Sequence, residues 1–204
     1  MNDSPNAPGR LIVVEGIDGA GKSTQVRRLA EALTAAGRKV VTSREPTDGP
    51  WGRKLRASAE STRMSLADEL HAFVEDRKQH VAEVIRPSLA AGSVVLLDRY
   101  YFSTMAYQGA RGADIAEIRR ANEAIAPRPD LVLLVDFDPQ VALTRIRESR
   151  GDVPNEFEQL DQLRAIRKIF LDTAAADRAF RIIDGSGTAD EVFARLWTAV
   201  DTLA

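Results

Sequence analysis

The chain alternates between two kinds of apolar pattern. Short runs of strand-forming residues occupy 11–14, 39–43, 93–97, 131–135 and 180–183. Between them, apolar residues recur every three to four positions, as on one face of a helix. Val26, Leu29, Ala30 and Leu33 form one such stripe, and Gly37 is a natural stop after it. A longer stripe over residues 66–91 carries Leu70, Phe73, Val74, Val81, Val84 and Ile85, with Gly92 at its end. Pro87 lies inside that stripe and predicts a kink or a shortened helix. Further helices are predicted at about 100–109, 114–126, 139–149, 157–176 and 189–203. Residues 44–56 mix proline, glycine and charge, and read as a loop leading into a short helix.

Strands that alternate with helices predict parallel strands joined by right-handed crossovers. Continuous apolar strands predict a sheet covered on both faces. The expected fold class is therefore α/β, a five-stranded parallel sheet between two layers of helices. At 204 residues the chain suits one domain, spanning 11–204 after a polar, proline-bearing lead at 1–10 that reads as disordered. The formal net charge of -2 argues against a nucleic-acid binder that works by overall positive charge. With no cysteine, a disulfide framework and a cysteine-built zinc site are both excluded. No apolar run approaches the roughly 20 residues of a membrane span, and the start lacks signal-peptide character. A cytoplasmic enzyme with no nucleic-acid or membrane partner is the expectation.

The first strand runs straight into candidate chemistry. Gly16, Gly21, Lys22 and Ser23 complete the pattern G-x-x-x-x-G-K-[ST], with an apolar run before it and a helical stripe after it. A turn containing Gly16, Gly19 and Gly21 lets backbone N–H groups curl around phosphate at a helix N-terminus. Residues Gly16, Ile17, Asp18, Gly19, Ala20, Gly21, Lys22, Ser23 and Thr24 are thus the expected cradle for a nucleoside triphosphate. Lys22 supplies charge for the outer phosphates, and the Ser23 hydroxyl is placed to hold Mg²⁺. Together with the strand–helix alternation, this motif implies a three-layer P-loop NTPase fold.

In such sheets, ligands gather at the carboxyl ends of the strands. Arg44 and Glu45 follow the second run, Asp98 and Arg99 the third, and Asp136 the fourth. A guanine-reading N-K-x-D stretch is absent. Phe73 and Arg77 are four apart and share a helix face, as do Thr104 and Gln108. An aromatic plate, a cation, a hydroxyl and an amide suit a nucleobase with its phosphate: Phe73 to stack, Gln108 to read an edge, Arg77 to supply charge. Spacing alone equally allows Phe73 as core and Arg77 as a structural cation. His71 and His80 receive no chemistry.

The stretches EGIDGAGKST (15–24), REP (44–46), FVEDRKQHV (73–81) and DRYYFSTMAYQGARG (98–112), with Arg56, resemble the thymidylate kinase family over nearly the whole chain. That resemblance implies transfer of a phosphoryl group from ATP to dTMP, with Mg²⁺. It implies that Asp18 meets the acceptor sugar and that Glu45 lies beside the acceptor and the metal. Arg44, Arg77 and Arg99 would surround the acceptor phosphate. Arg56 and Phe73 would flank the thymine, Thr104 and Gln108 would read its edge, and Tyr107 would sit near the sugar. Asp98 would orient Mg²⁺ through water, alongside Ser23 and Glu45.

Some family members carry an arginine where this chain has Gly19. Its absence shifts the catalytic cation to a mobile lid, expected at about 145–157, with Arg145 on the donor phosphates and Arg147 and Arg150 joining Lys22 and Arg99 in catalysis. The lid also departs from the family: Asn155 and Glu156 stand near where an Asp-Arg pair is common. Arg150 is expected to substitute, or Arg164 or Arg167 from the next helix. Family members are usually homodimers. A uridine or cytidine monophosphate kinase, or one of broader specificity, is the nearest alternative. A P-loop nucleotide-binding protein without transfer activity is the other.

Overall fold

The runs of strand formers build one parallel sheet, because each has Val, Ile, Leu or Phe to bury against a covering helix. In a computed structural model, which describes residues 9–60, 63–150 and 156–201, the strands are β1 (Arg10–Glu15), β2 (Val40–Arg44), β3 (Val94–Asp98), β4 (Leu131–Asp136) and β5 (Phe180–Asp184). Their order is β2-β3-β1-β4-β5. The motif-bearing β1 is central, paired with β3 through Val14↔Asp98 and with β4 through Glu15↔Leu134. Leu11, Val13, Val14, Val95, Leu96 and Leu133 are almost wholly buried, so the core lies along the middle strands. The edge strand β2 is partly exposed.

The helices are α1 (Lys22–Ala35), α2 (Pro50–Glu60), α3 (Leu66–His80), α4 (Arg86–Ala90), α5 (Tyr101–Gly109), α6 (Ile115–Glu123), α7 (Pro139–Arg150), α8 (Glu156–Ala176) and α9 (Ala189–Asp201). One layer is built on α1 and α9, which pack together and on the sheet. Another is built on α5 and α8, with α3 and α6 outside α5. The five-stranded parallel sheet and flanking helices are those expected.

Three boundaries differ from the sequence pattern, each for a physical reason. Arg10 of the supposed lead already belongs to β1, held by an ion pair to Asp130 at 2.8 Å; residues 1–8 lie outside the described part. The supposed loop 44–56 turns helical at Pro50, because a proline in the first turn gives up only an N–H that has no helical partner. Gly52 is needed there, since a Cβ would run into the Thr47 backbone. The long stripe continues past Pro87, through a π-helical turn at Val81–Ile85 in which the Arg86 N–H bonds to Val81 O, five residues back. Proline clashes with the carbonyl four residues before it, and a widened turn relieves that clash.

Candidate active site

Three glycines shape the turn after β1. Gly16, Gly19 and Gly21 have φ of 145°, 80° and 84°. A Cβ on Gly19 would sit 2.6 Å from the Ala142 carbonyl of α7, so this chain has no room for an arginine at that position. Lys22, at the head of α1, is 6% exposed and donates from Nζ to the Ile17 carbonyl at 2.8 Å. Burial pushes its ammonium down to about 8; neighbouring Arg99 adds to the shift, while Asp18 and Asp98 oppose it. The Ser23 hydroxyl donates to Asp98 Oδ2 at 2.5 Å. Asp98 Oδ1 is buried without a hydrogen-bond partner. A hydroxyl and a carboxylate with spare acceptor capacity form a hard oxygen set that fits Mg²⁺.

β3 ends at Asp98, and Arg99 takes a positive φ of 71° before α5 begins. Its side chain is thereby turned back over the glycine turn. One Nη donates to Asp18 Oδ1 at 2.7 Å and to the Tyr107 hydroxyl at 3.2 Å, and the other donates to Ser103 Oγ at 2.8 Å. The Tyr107 hydroxyl also accepts from the Asp18 N–H at 3.0 Å. Burial pushes that phenol up to about 12, so it stays a hydroxyl.

Glu15, to which the sequence assigned nothing, underlies this cluster. It is fully buried and caps α5, accepting from the Tyr100 and Ser103 N–H groups at 2.8 and 3.2 Å and from the Ser103 hydroxyl at 2.6 Å. Burial pushes its carboxyl from 4.5 up to about 7, against the hydrogen bond from Ser103 and the charge of Arg99. The folded state therefore holds this proton more tightly than the unfolded chain does. Stability should fall as pH rises from about 5 to about 7.5, because unfolding releases a proton across that window. Urea unfolding at both pH values should reveal the loss, and Glu15→Gln should remove most of it. An acid immediately after an apolar run, inside the strand register, was the available signal.

Two cavities meet at this cluster. The donor-side cavity, about 770 Å³, is lined by Gly19, Lys22, Ser23, Thr24, Arg44, Asp98 and Arg145 among others. The second, about 380 Å³, is lined by Phe73, Arg77, Tyr100, Thr104, Tyr107 and Gln108. Asp18, Glu45, Pro46, Arg56 and Arg99 line both. The two residue pairs predicted from helical spacing thus converge, Phe73 and Arg77 from α3 and Thr104 and Gln108 from α5. Gln108 is 2% exposed, and its Oε1 has no hydrogen-bond partner. Arg44 and Arg56 are gathered by one carboxylate: Asp48 accepts from each at 2.9 Å, which draws its carboxyl below the ordinary range.

Several residues expected at the site already have partners within the protein. Arg77 lines the cavity of Phe73 and Gln108 but not the donor-side cavity. It is 1% exposed and donates from Nε and one Nη to Glu45 Oε2 at 2.8 and 2.5 Å, from that Nη to Thr104 Oγ1 at 3.3 Å, and from the other Nη to Asn122 Oδ1. Arg77 is thus paired with a buried carboxylate and sits beside Thr104 in the wall of that cavity. Glu45 is likewise engaged: Oε2 is held by Arg77 and Oε1 by His80 at 2.9 Å, while the residue lines the cavity that also holds Ser23 and Asp98. Asp136, expected in the crevice, is clasped by Arg167 at 2.6 and 2.8 Å, and Arg164 pairs with Asp161 at 3.0 Å. Neither arginine lines either of the two cavities.

Of the lid residues, Arg145 lines the donor-side cavity, with its guanidinium 4.1 Å from the centre of the Phe137 ring. Arg147 lies on the exposed side of α7. The lid loop at 151–155 and the Arg150 side chain lie outside the described part. Spacing could have exposed more of the site, since Phe73, Asp76, Arg77 and His80 share one face of α3. Asp76 pins the loop after β2 through the Thr47 N–H at 2.8 Å and the Thr47 hydroxyl at 2.6 Å.

Comparison with known proteins agrees with this geometry. A family model described as thymidylate kinase matches residues 14–196. The thymidylate kinase of Xanthomonas euvesicatoria pv. vesicatoria is 51% identical over 185 residues, covering 90% of this chain and 80% of that protein. That of Xylella fastidiosa is 46% identical over 193 residues, covering 95% and 87%. The solved thymidylate kinase of Ehrlichia chaffeensis superposes with a TM-score of 0.77 at 25% identity, covering 97% of this chain and all of that one. With its nucleotide cradle, its paired cavities and relatives of this closeness, the chain belongs to the thymidylate kinase family.

Proposed function

We propose that the chain transfers the γ-phosphoryl group of ATP to dTMP, giving dTDP and ADP. One observation carries the choice of acceptor. The smaller cavity is lined by Phe73, by Gln108 with its unpaired carbonyl, and by Arg99, which also lines the cavity of the glycine turn. Thymine stacks on Phe73, its N3–H donates to Gln108 Oε1, and its carbonyls accept from the Gln108 amide and the remaining N–H of Arg77. Cytosine presents an amino donor where Arg77 also donates, which disfavours it. Tyr107 and Asp18, joined by the Asp18 N–H to the Tyr107 hydroxyl, are the residues that would meet the sugar, with Tyr107 against a 2′-hydroxyl. The acceptor phosphate falls among Arg44, Arg56 and Arg99.

Phosphoryl transfer requires alignment and charge neutralisation rather than covalent chemistry by the protein. Backbone N–H groups from Gly16 to Thr24 cradle the donor phosphates, Lys22 and Arg145 face the outer ones, and Arg99 faces both substrates. Ser23 and Asp98 would hold Mg²⁺, which when bound offsets charge on the phosphate oxygens. Arg147 and Arg150, on the same helix as Arg145, are the proposed lid cations. Arg150 takes the place of the cation that Gly19 cannot carry.

The α3–α6 groove, about 430 Å³ and lined by Leu66, Leu70, Val74 and Ile118, supports pairing with a second copy of the chain. No helix among the described residues is long and apolar enough to cross a membrane. A coupled assay with ATP and each monophosphate tests the reaction. dTMP should be turned over with kcat/KM at least about a hundredfold above CMP and UMP. Equal or faster turnover of UMP or CMP would assign the chain to the broader kinases. Nucleotide binding without turnover of any monophosphate would make it a binding protein.

A further inference from the structure

His80, left without chemistry by the sequence, ends α3 with its side chain 1% exposed. Both ring nitrogens are engaged. Nδ1 lies 2.9 Å from Glu45 Oε1, and Nε2 lies 2.8 Å from Ser43 Oγ on β2. Glu45 Oε2 already takes two hydrogens from Arg77, so the carboxylate is the acceptor here and Nδ1 carries the hydrogen. Nε2 then accepts the Ser43 hydroxyl hydrogen. One buried chain of polar contacts therefore runs from β2 through His80 and Glu45 to Arg77, and ends on Thr104 at the cavity wall.

The geometry at Glu45 gives His80 its importance. A free carboxylate opposite an arginine prefers the fork, two parallel hydrogen bonds with one oxygen for each nitrogen. Here Arg77 grips Oε2 alone, with Nε and one Nη, because Oε1 is turned to His80. That side-on grip directs one Nη to Thr104 and the other to Asn122. Release of Oε1 would let the carboxylate rotate into the fork and swing the guanidinium away from Thr104. We propose that His80 is a positioning residue of the acceptor site: by holding Glu45 Oε1 on Nδ1, it keeps the Arg77 guanidinium aimed at the base-reading wall. This rests on the acceptor reading given above.

Asparagine and glutamine separate this role from simple filling of the core. The amide nitrogen of asparagine falls near Nδ1 and can still donate to Glu45, whereas that of glutamine falls near Nε2 and reaches only Ser43. His80→Asn should keep KM for dTMP within about threefold of the parent, and His80→Gln should raise it about tenfold or more. KM for ATP should stay within about twofold in both. Equal KM for dTMP in the two variants, or a matching rise in KM for ATP, would overturn the proposal. Should His80→Gln fail to fold, Ser43→Ala carries the test. It leaves Nδ1 on Glu45 Oε1, so KM for dTMP should stay within about twofold of the parent, and a rise of about tenfold would place the positioning in the contact with β2 and overturn the role. A parent chain that is inactive on dTMP but active on another monophosphate defeats the acceptor reading, and KM for that substrate then decides on His80. A parent inactive on every monophosphate defeats both.

Discussion

Replacing Lys22 with alanine should lower kcat about a thousandfold, or about 4 kcal/mol of transition-state stabilisation. The size follows from where the ammonium sits. It is buried beneath the glycine turn and held on the Ile17 carbonyl at 2.8 Å, so its position is set before a substrate arrives. Burial has already taken its solvent away and lowered its affinity for a proton. A triphosphate restores a partner for the charge, and the interaction strengthens as charge builds on the transferring group. Arginine at this position should not restore activity, because a planar fork does not fit the space of a buried point charge. Steady-state kinetics with ATP varied at saturating dTMP check this, and a loss of less than tenfold would mean the lysine is structural.

Arg99→Ala should lower kcat/KM for dTMP by about two to three orders of magnitude, since one guanidinium links both substrate cavities. Its side chain is fixed by Asp18, Tyr107 and Ser103, and its backbone by a positive φ. Loss of the cation also leaves the Asp18 carboxylate without this partner between the two cavities. Arg99→Lys should recover little, because one ammonium cannot span three acceptors in fixed directions. The effects of Arg99→Ala and Tyr107→Phe should be strongly non-additive, as expected for groups in one hydrogen-bond network. Additive losses would show that the two residues act separately.

Much of the fold was legible because its signals are local. Continuous apolar runs separated by helical stripes allow few arrangements other than a covered parallel sheet, and the glycine turn fixes which strand ends face phosphate. Phe73, Arg77, Thr104 and Gln108 were legible for the same reason, since helical spacing puts each pair on one face. Long-range pairing was not legible. Arg77 could be placed on a face but not in the wall of a cavity, because its partner Glu45 is 32 residues away. Asp136 looked like a crevice charge until Arg167, 31 residues on, clasped it. Glu15 and His80 escaped notice because buried polar groups lie within apolar patterns and declare themselves only through partners in space. Gly19 was read as the absence of an arginine. Packing gives the reason, since the α7 backbone stands where any side chain would start.

The most direct measurement is a crystal structure with dTMP and a non-hydrolysable ATP analogue bound. Thymine should lie on Phe73, with Gln108, Thr104 and Arg77 along its edge. Its phosphate should sit among Arg44, Arg56 and Arg99, pointing to the analogue's γ-phosphate over Lys22. A dTMP phosphate seated at Arg77, or thymine lying outside the Phe73 cavity, would contradict the account.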